Sequence, residues 1–274
     1  MADMQTGFAE INGAKTYYEV AGQDHDQTVV FVHAGVSDHR LWDGQFDLYA
    51  RRYRVIRYDL RGFGQTTAPT MQYAHHEDLR ALLDFLKVDQ AALIGCSMGG
   101  TTALDFLLTD PQRVTALVMV CSNPSGYQPQ GAPTPLIQQL IAAHQAHDPE
   151  AMAQVAVQLW AVGEKRELEQ VDSKVRDLVY AMSLIGFQNQ DTLGEAQGIE
   201  PPAIGRLNEV RVPTLIIDGA FDSPVVHAAG AQMAREIAGA KRVIMPNSAH
   251  LPSLEHPANF NTIVEPFLAS ALKC

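Results

Sequence analysis

The chain has 274 residues, 46% of them hydrophobic and 19% charged, with a formal net charge of -11. That length and composition suit a globular enzyme, either one large domain or a core with an insertion, and argue against a disordered chain. The acidic balance argues against a nucleic-acid partner, since phosphate binding requires clustered Lys and Arg.

The amino terminus, MADMQTGFAEING, has neither a basic n-region nor an apolar h-region, and no apolar run approaches the ~20 residues of a membrane span. A cytoplasmic protein with no membrane partner is expected. Residues 7–21 alternate polar and apolar around Asn12-Gly13, which predicts a β-hairpin. From Thr28 onward the pattern becomes VVFVH, RLWDGQFDLYARR, YRVIRYD, HHEDLRALLDFLKV and AALIGC, apolar strands alternating with amphipathic helices. Such alternation predicts a parallel sheet covered on both faces, and TALVMVCS, PTLIIDG and KRVIMP supply further strands. Between Asn123 and Gly205 the strand signal stops. After NPSGYQPQGAPTP, helical periodicity runs through LIQQLIAAHQAH, PEAMAQVAVQLWAV and KVRDLVYAMSLIGF. A helical cap over 123–205, inserted after the sixth of eight strands of a core made from 1–122 and 206–274, is the expectation; helices that simply flank the sheet are the alternative.

Chemistry concentrates in LIGCSMGG, Leu93 to Gly100, where an apolar strand delivers Ser97 into a Gly-x-Ser-x-Gly frame that continues as the helical TTALDFLL. A serine hydroxyl is a poor nucleophile unless held in an exposed turn beside a base, and strand, sharp turn, helix is that arrangement. Partners follow in chain order: Asp222 just past PTLIIDG and His250 in the loop after KRVIMP. The order Ser, Asp, His differs from the chymotrypsin and subtilisin orders. Asp218 and Glu255 remain alternatives for orienting the imidazole. Met98 N–H, directly after the serine, is the firmer oxyanion donor.

Together HAGVSDHRLWD, YRVIRYDLRGFGQT, GCSMGG, LIIDGAFDSP and SAHLPSLEHP resemble the α/β-hydrolase superfamily, in particular its small carboxylesterases and 3-oxoadipate enol-lactonase-like proteins. The resemblance covers both ends of the chain and thins between about 123 and 205. It implies an α/β fold with an eight-stranded, mostly parallel sheet flanked by helices. It also favours Asp222 as the triad acid and puts the second oxyanion donor at Gly35, in the loop after His33, itself a loop-fixing residue. The first loop reads His-Ala-Gly where many relatives have His-Gly, and Cys96 precedes the serine.

The activity this implies is hydrolysis of a small carboxylic ester through an acyl-enzyme, without cofactor or metal. An enol-lactonase type of lactone hydrolysis and a perhydrolase reaction are alternatives, as is a ligand receptor on the same fold. The nucleophile position holds Ser97 rather than Asp, which sets aside dehalogenases and epoxide hydrolases. Val36, Tyr127 and Trp160 are candidate pocket residues, and a lactonase for an anionic substrate should present Lys165, Arg166, Lys174 or Arg176 to its pocket. Asp59, Arg61, Gly62 and Gly64 are expected to be architectural. His75 and His76 diverge by about 100 degrees on a helix and are expected to be solvent-exposed rather than chelating. Cys96, Cys121 and Cys274 are expected to be free thiols, with Cys96 pointing into the core, and homodimer formation is left open.

Overall fold

The computed structural model describes residues 4–129 and 131–272. An antiparallel hairpin opens the chain: β1 (Gln5–Ile11) and β2 (Ala14–Ala21) are joined through Asn12 and Gly13, at φ 45° and 76°. Positive φ at both central residues is the turn whose twist matches that of the strands. Then come β3 (Thr28–Val32), α1 (Asp43–Tyr49), β4 (Arg54–Tyr58), α2 (His75–Phe85), β5 (Ala91–Cys96), α3 (Met98–Thr109) and β6 (Val114–Val120). β7 (Thr214–Gly219), α7 (Pro224–Glu236), β8 (Lys241–Met245), α8 (Pro252–Glu255) and α9 (Pro257–Ala271) complete the core. The eight-stranded sheet has the order β1-β2-β4-β3-β5-β6-β7-β8, with β2 antiparallel to β1 and β4 and every later pairing parallel.

β3, β5 and β7 are buried at every position, as a parallel sheet covered on both faces requires. Side-chain alternation splits the interior in two. Phe31, Ile94, Val118 and Ile217 pack with Trp42, Tyr49 and Phe260 on one face; Val30, Leu93, Leu117 and Ile216 pack with Leu82, Leu104 and Met233 on the other. Among the described residues no helix is long and apolar enough to cross a membrane.

The stretch between β6 and β7 contributes α4 (Pro135–Gln145), α5 (Pro149–Ala156), a π-helical turn over Val157–Val162 and α6 (Ser173–Asn189). Ala156, Val162, Val179 and Met182 from this insertion belong to the same buried cluster as Phe31 and Phe260. It therefore shares the core rather than having one of its own. α4, by contrast, buries none of its residues fully. Ser183 Oγ of α6 donates to Val36 O (2.9 Å), and a Cβ on Gly186 would come within 2.7 Å of the Phe63 ring, so α6 lies over the loops that follow β3 and β4.

The two limbs of the insertion meet at Ser125. Its carbonyl accepts from Ile204 N–H (3.0 Å), and its hydroxyl accepts from Ala203 N–H (2.9 Å) while donating to Asp105 Oδ1 of α3 (2.6 Å). The expectation of exposed histidines at the start of α2 is corrected: His76 is buried and His75 half-buried, its ring edge-on to Tyr73 at 5.1 Å. α2 turns that face toward the hairpin and its neighbouring loop, where Arg61 pairs with Asp78 (2.8 Å), and helical periodicity alone does not reveal a polar face packed in this way.

Burial pushes the Asp105 carboxyl up from 3.8 to about 6, against the opposing pull of Ser125 and Arg206. Between those values the folded chain keeps a proton that the unfolded chain has lost, so this group's contribution is full below 3.8 and declines as pH rises through about 6. Asp105→Asn is expected to remove that pH dependence. Melting temperatures of parent and variant across pH 4–7.5 should diverge as pH rises, the parent losing ground up to about pH 6 and holding a constant offset above it.

Candidate active site

Ser97 stands between the end of β5 and the start of α3 with φ 52° and ψ −119°, a backbone region costly for any residue with a Cβ. The surroundings over-determine it. Its N–H donates to Val120 O (2.8 Å), and its carbonyl accepts from Gly100 N–H (2.9 Å) and Thr101 N–H (3.1 Å). A Cβ on Gly99 would run into the carbonyls of Val32 and His33, so the first turn of α3 sits directly against the end of β3.

That approach makes Met98 and Gly35, which carry the two predicted oxyanion donors, neighbouring residues. As the first amide of α3, Met98 N–H has no carbonyl one turn behind it, and it lies at the positive end of the helix. Gly35 is its neighbour: a Cβ there would be 3.6 Å from Met98 Sδ. Gly35 sits in a turn closed by Ala34 N–H to Ser37 Oγ (3.1 Å) and Ser37 N–H to Ala34 O (3.1 Å). His33 fixes the loop, accepting from Leu60 N–H at Nε2 (2.9 Å) and donating from Nδ1 to Ala34 O (2.8 Å). Burial holds its pKa below the ordinary value, so it stays neutral in this role.

Asp222 and His250 meet from the ends of β7 and β8. His250 Nδ1 donates to Asp222 Oδ2 at 2.8 Å, both side chains are buried, and Asp222 Oδ1 accepts from Ser223 N–H (2.7 Å). This tautomer leaves the Nε2 lone pair free to take a proton. Cys96, adjacent to Ser97, reaches His250 O with its Sγ at 3.5 Å, so the serine turn and the histidine loop are direct neighbours. The other two carboxylates have different partners: Asp218 is paired with Arg242 (2.6 Å), and Glu255 with Arg166 (2.7 Å).

Of the candidate pocket residues, Trp160 lies beside His250, its ring 6.3 Å from the His250 ring and its carbonyl accepting His250 N–H (3.1 Å). Val36 is buried beneath α6. Tyr127 is half-buried on the outgoing limb of the insertion, and no hydrogen bond or ring contact joins it to Ser97, Asp222 or His250 among the described residues. Asp59 accepts from His39 N–H and Gln65 N–H (both 2.8 Å), and Arg61 pairs with Asp78, architectural contacts as expected.

Arg166, one of the cations considered for an anionic substrate, is buried and bonded to protein groups; Lys165 and Lys174 are exposed. Sequence reasoning missed what Arg166 does, because nothing in GEKREL marks a buried arginine. Cys121 Sγ with Asp222 and His250, and Asp38 with His39 and Asp59, each bring three ligand-type atoms within 4.8 Å. In both groups the carboxylates already accept from N–H donors, so a metal would have to displace bonds already made. Cys96 and Cys121 are free thiols pushed well above their ordinary pKa by burial and by the Asp222 carboxylate; Cys274 lies outside the described residues.

A sequence profile described as the alpha/beta hydrolase fold matches residues 27–257. The chain is 30% identical over 271 residues to the 2-hydroxy-6-oxononadienedioate/2-hydroxy-6-oxononatrienedioate hydrolase of Klebsiella pneumoniae, covering 90% of this chain and 89% of that protein. It is 27% identical over 253 residues to 3-oxoadipate enol-lactonase 2 of Acinetobacter baylyi, covering 90% and 91%. Among solved structures, an esterase from Exiguobacterium antarcticum superposes with a TM-score of 0.78 at 23% identity over 96% of this chain and 99% of that one, a likeness of fold.

A serine-directed phosphonate is expected to modify Ser97 and no other residue, read by peptide mass spectrometry. Iodoacetamide should leave Cys96 and Cys121 unmodified until the chain is unfolded, because their thiolates are both shielded and disfavoured. Adduct on Cys96 in the native protein would remove Ser97 from the nucleophile position.

Proposed function

The chain belongs to the α/β-hydrolase family, and from that premise we propose that it is a serine hydrolase of small carboxylic esters, with Ser97, His250 and Asp222 as its triad. The observation that carries this reading is the 2.8 Å Asp222–His250 pair set beside the strained Ser97 turn. In it, 1–122 and 206–274 are the core, 123–205 is the cap, and Val36 and Trp160 border the acyl site; Tyr127 belongs to the outer rim.

Ser97 Oγ attacks the ester carbonyl as its proton passes to His250 Nε2. The negative charge that develops on the carbonyl oxygen is met by Met98 N–H and Gly35 N–H, donors that need no reorganisation at the moment of reaction. Asp222 holds the ring in the Nδ1–H tautomer and stabilises the imidazolium. His250 then protonates the leaving alkoxide. Water, deprotonated by the same nitrogen, hydrolyses the acyl-enzyme and returns the proton to Ser97.

Likeness to 3-oxoadipate enol-lactonase 2 supports a second reading, in which the ester is internal to a lactone ring. The chemistry is identical. What differs is recognition, since a carboxylate-bearing lactone or dioate needs a cation at the site. Of the four cations of the insertion, Arg166 is buried and paired with Glu255, Lys165 and Lys174 are exposed, and Arg176 is half-buried with its Nε on Val171 O. An anionic substrate would therefore have Arg176 as its cation; the pairing of Arg166 favours uncharged substrates.

Initial rates on p-nitrophenyl esters from acetate to decanoate, beside neutral and carboxylate-bearing lactones, test the reading. Short esters and neutral lactones are expected to turn over, carboxylate-bearing lactones poorly, and Ser97→Ala should lose at least about a thousandfold in kcat with its fold intact. Activity confined to lactones would replace esterase with lactonase. Stoichiometric binding without turnover would make the protein a receptor.

A further inference from the structure

Arg166 follows the π-helical turn of the insertion, and each nitrogen of its guanidinium has a protein acceptor. Nε donates to Val162 O (2.7 Å), Nη1 to Asn247 O (3.0 Å), and Nη2 to both Ala161 O (2.8 Å) and Glu255 Oε2 (2.7 Å). Its plane lies over the Phe221 ring, 5.0 Å from the centroid. The other oxygen of Glu255 accepts from Ala249 N–H (2.7 Å), one residue before His250. The side chains of Arg166 and Glu255 are only 6% and 3% exposed.

The contacts come from three separate pieces of chain. Ala161 and Val162 end the π turn whose Trp160 carbonyl holds His250 N–H; Asn247 and Glu255, which also accepts from Ala249 N–H, flank the histidine; and Phe221, whose ring lies under the guanidinium, precedes Asp222. Gly163, at φ 79°, lets these segments close on one another, since a Cβ there would lie 2.5 Å from Phe221 O and 3.3 Å from Ala249 Cβ. A lysine could not replace this arrangement, because its ammonium lacks the planar fork that reaches carbonyls on opposite sides.

Resting on the serine-hydrolase reading above, we infer that Arg166 and Glu255 are a positioning pair: they bolt the insertion to the loops of both His250 and Asp222 and thereby set the imidazole's orientation toward Ser97. The pair acts through His250 and not on substrate. Four of the five guanidinium N–H groups donate to protein acceptors, and a carboxylate neutralises its charge. A buried, multiply bonded ion pair of this kind contributes more to a single geometry than to net stability.

The test compares Arg166→Met, Arg166→Lys, Glu255→Gln and the double variant Arg166→Met/Glu255→Gln with the parent. It reads kcat and KM on an ester the parent cleaves, the rate of phosphonate labelling at Ser97, and the melting temperature. Both Arg166→Met and Glu255→Gln are expected to lower kcat and the labelling rate by about ten- to a hundredfold, with KM changed by less than about twofold, because a misplaced base damages the transition state and leaves binding alone. Arg166→Lys should recover part of the loss, and the double variant should be no worse than Arg166→Met, since the two side chains act as one unit. Parental kcat and labelling in folded single variants would overturn the inference, as would a loss confined to KM, which would make Arg166 a substrate anchor. Should Arg166→Met fail to fold, Arg166→Lys and Glu255→Gln carry the same comparison. A parent protein that neither cleaves esters nor is labelled at Ser97 would instead refute the serine-hydrolase reading, and this inference with it.

Discussion

One backbone-to-backbone approach sets the rest of the site: α3 begins against the end of β3 with no side chain between them. Gly99 makes this possible, because any Cβ there would occupy the space of the Val32 and His33 carbonyls. The consequences spread outward. Ser97 is forced into left-handed backbone geometry at the mouth of the sheet, Met98 N–H is left without an intrahelical acceptor, and Gly35 is drawn up beside it. A strained residue persists only where its neighbours over-determine it, and here the hydrogen bonds at Val120, Gly100 and Thr101 do so.

Around this fixed point the site is assembled from loops at the carboxyl ends of strands, and loops need fastening. The molecule fastens them with buried polar contacts. His33 ties its own loop to Leu60; Asp59 ties His39 to Gln65; Arg61 ties the hairpin carbonyl of Asn12 to Asp78 on α2. Arg166 and Glu255 do the same for the histidine loop. Each buried charge among them is costly to bury alone and is compensated by directed bonds.

The insertion is part of that fastening and not only a cover. α5, the π turn and α6 contribute side chains to the same buried cluster as the sheet, and the π turn supplies the carbonyl that holds His250 N–H. π-helical turns are rare and frequently found at functional sites. Here the turn places Trp160 with its carbonyl toward the histidine backbone and its ring near the imidazole. α4 is different: apolar yet nowhere fully buried, it rides on the outside of the insertion.

The sequence by itself determined the α/β architecture, the sheet from near-continuous apolar runs, the opening hairpin from Asn12-Gly13, and the order in which Ser97, Asp222 and His250 arrive at strand ends. These are local facts, written in periodicity and in residues whose backbone preference is strong. Only the tertiary structure decided which carboxylate meets the imidazole, since Asp218, Asp222 and Glu255 are alike in composition and differ in what lies across from them: Arg242, His250 and Arg166. It also decided that His76 is buried rather than exposed, and that Arg166 is buried and paired with Glu255. Each of these depends on a partner distant in sequence, and a side chain's role in a folded protein is fixed by the groups it faces, which no local pattern of residues encodes.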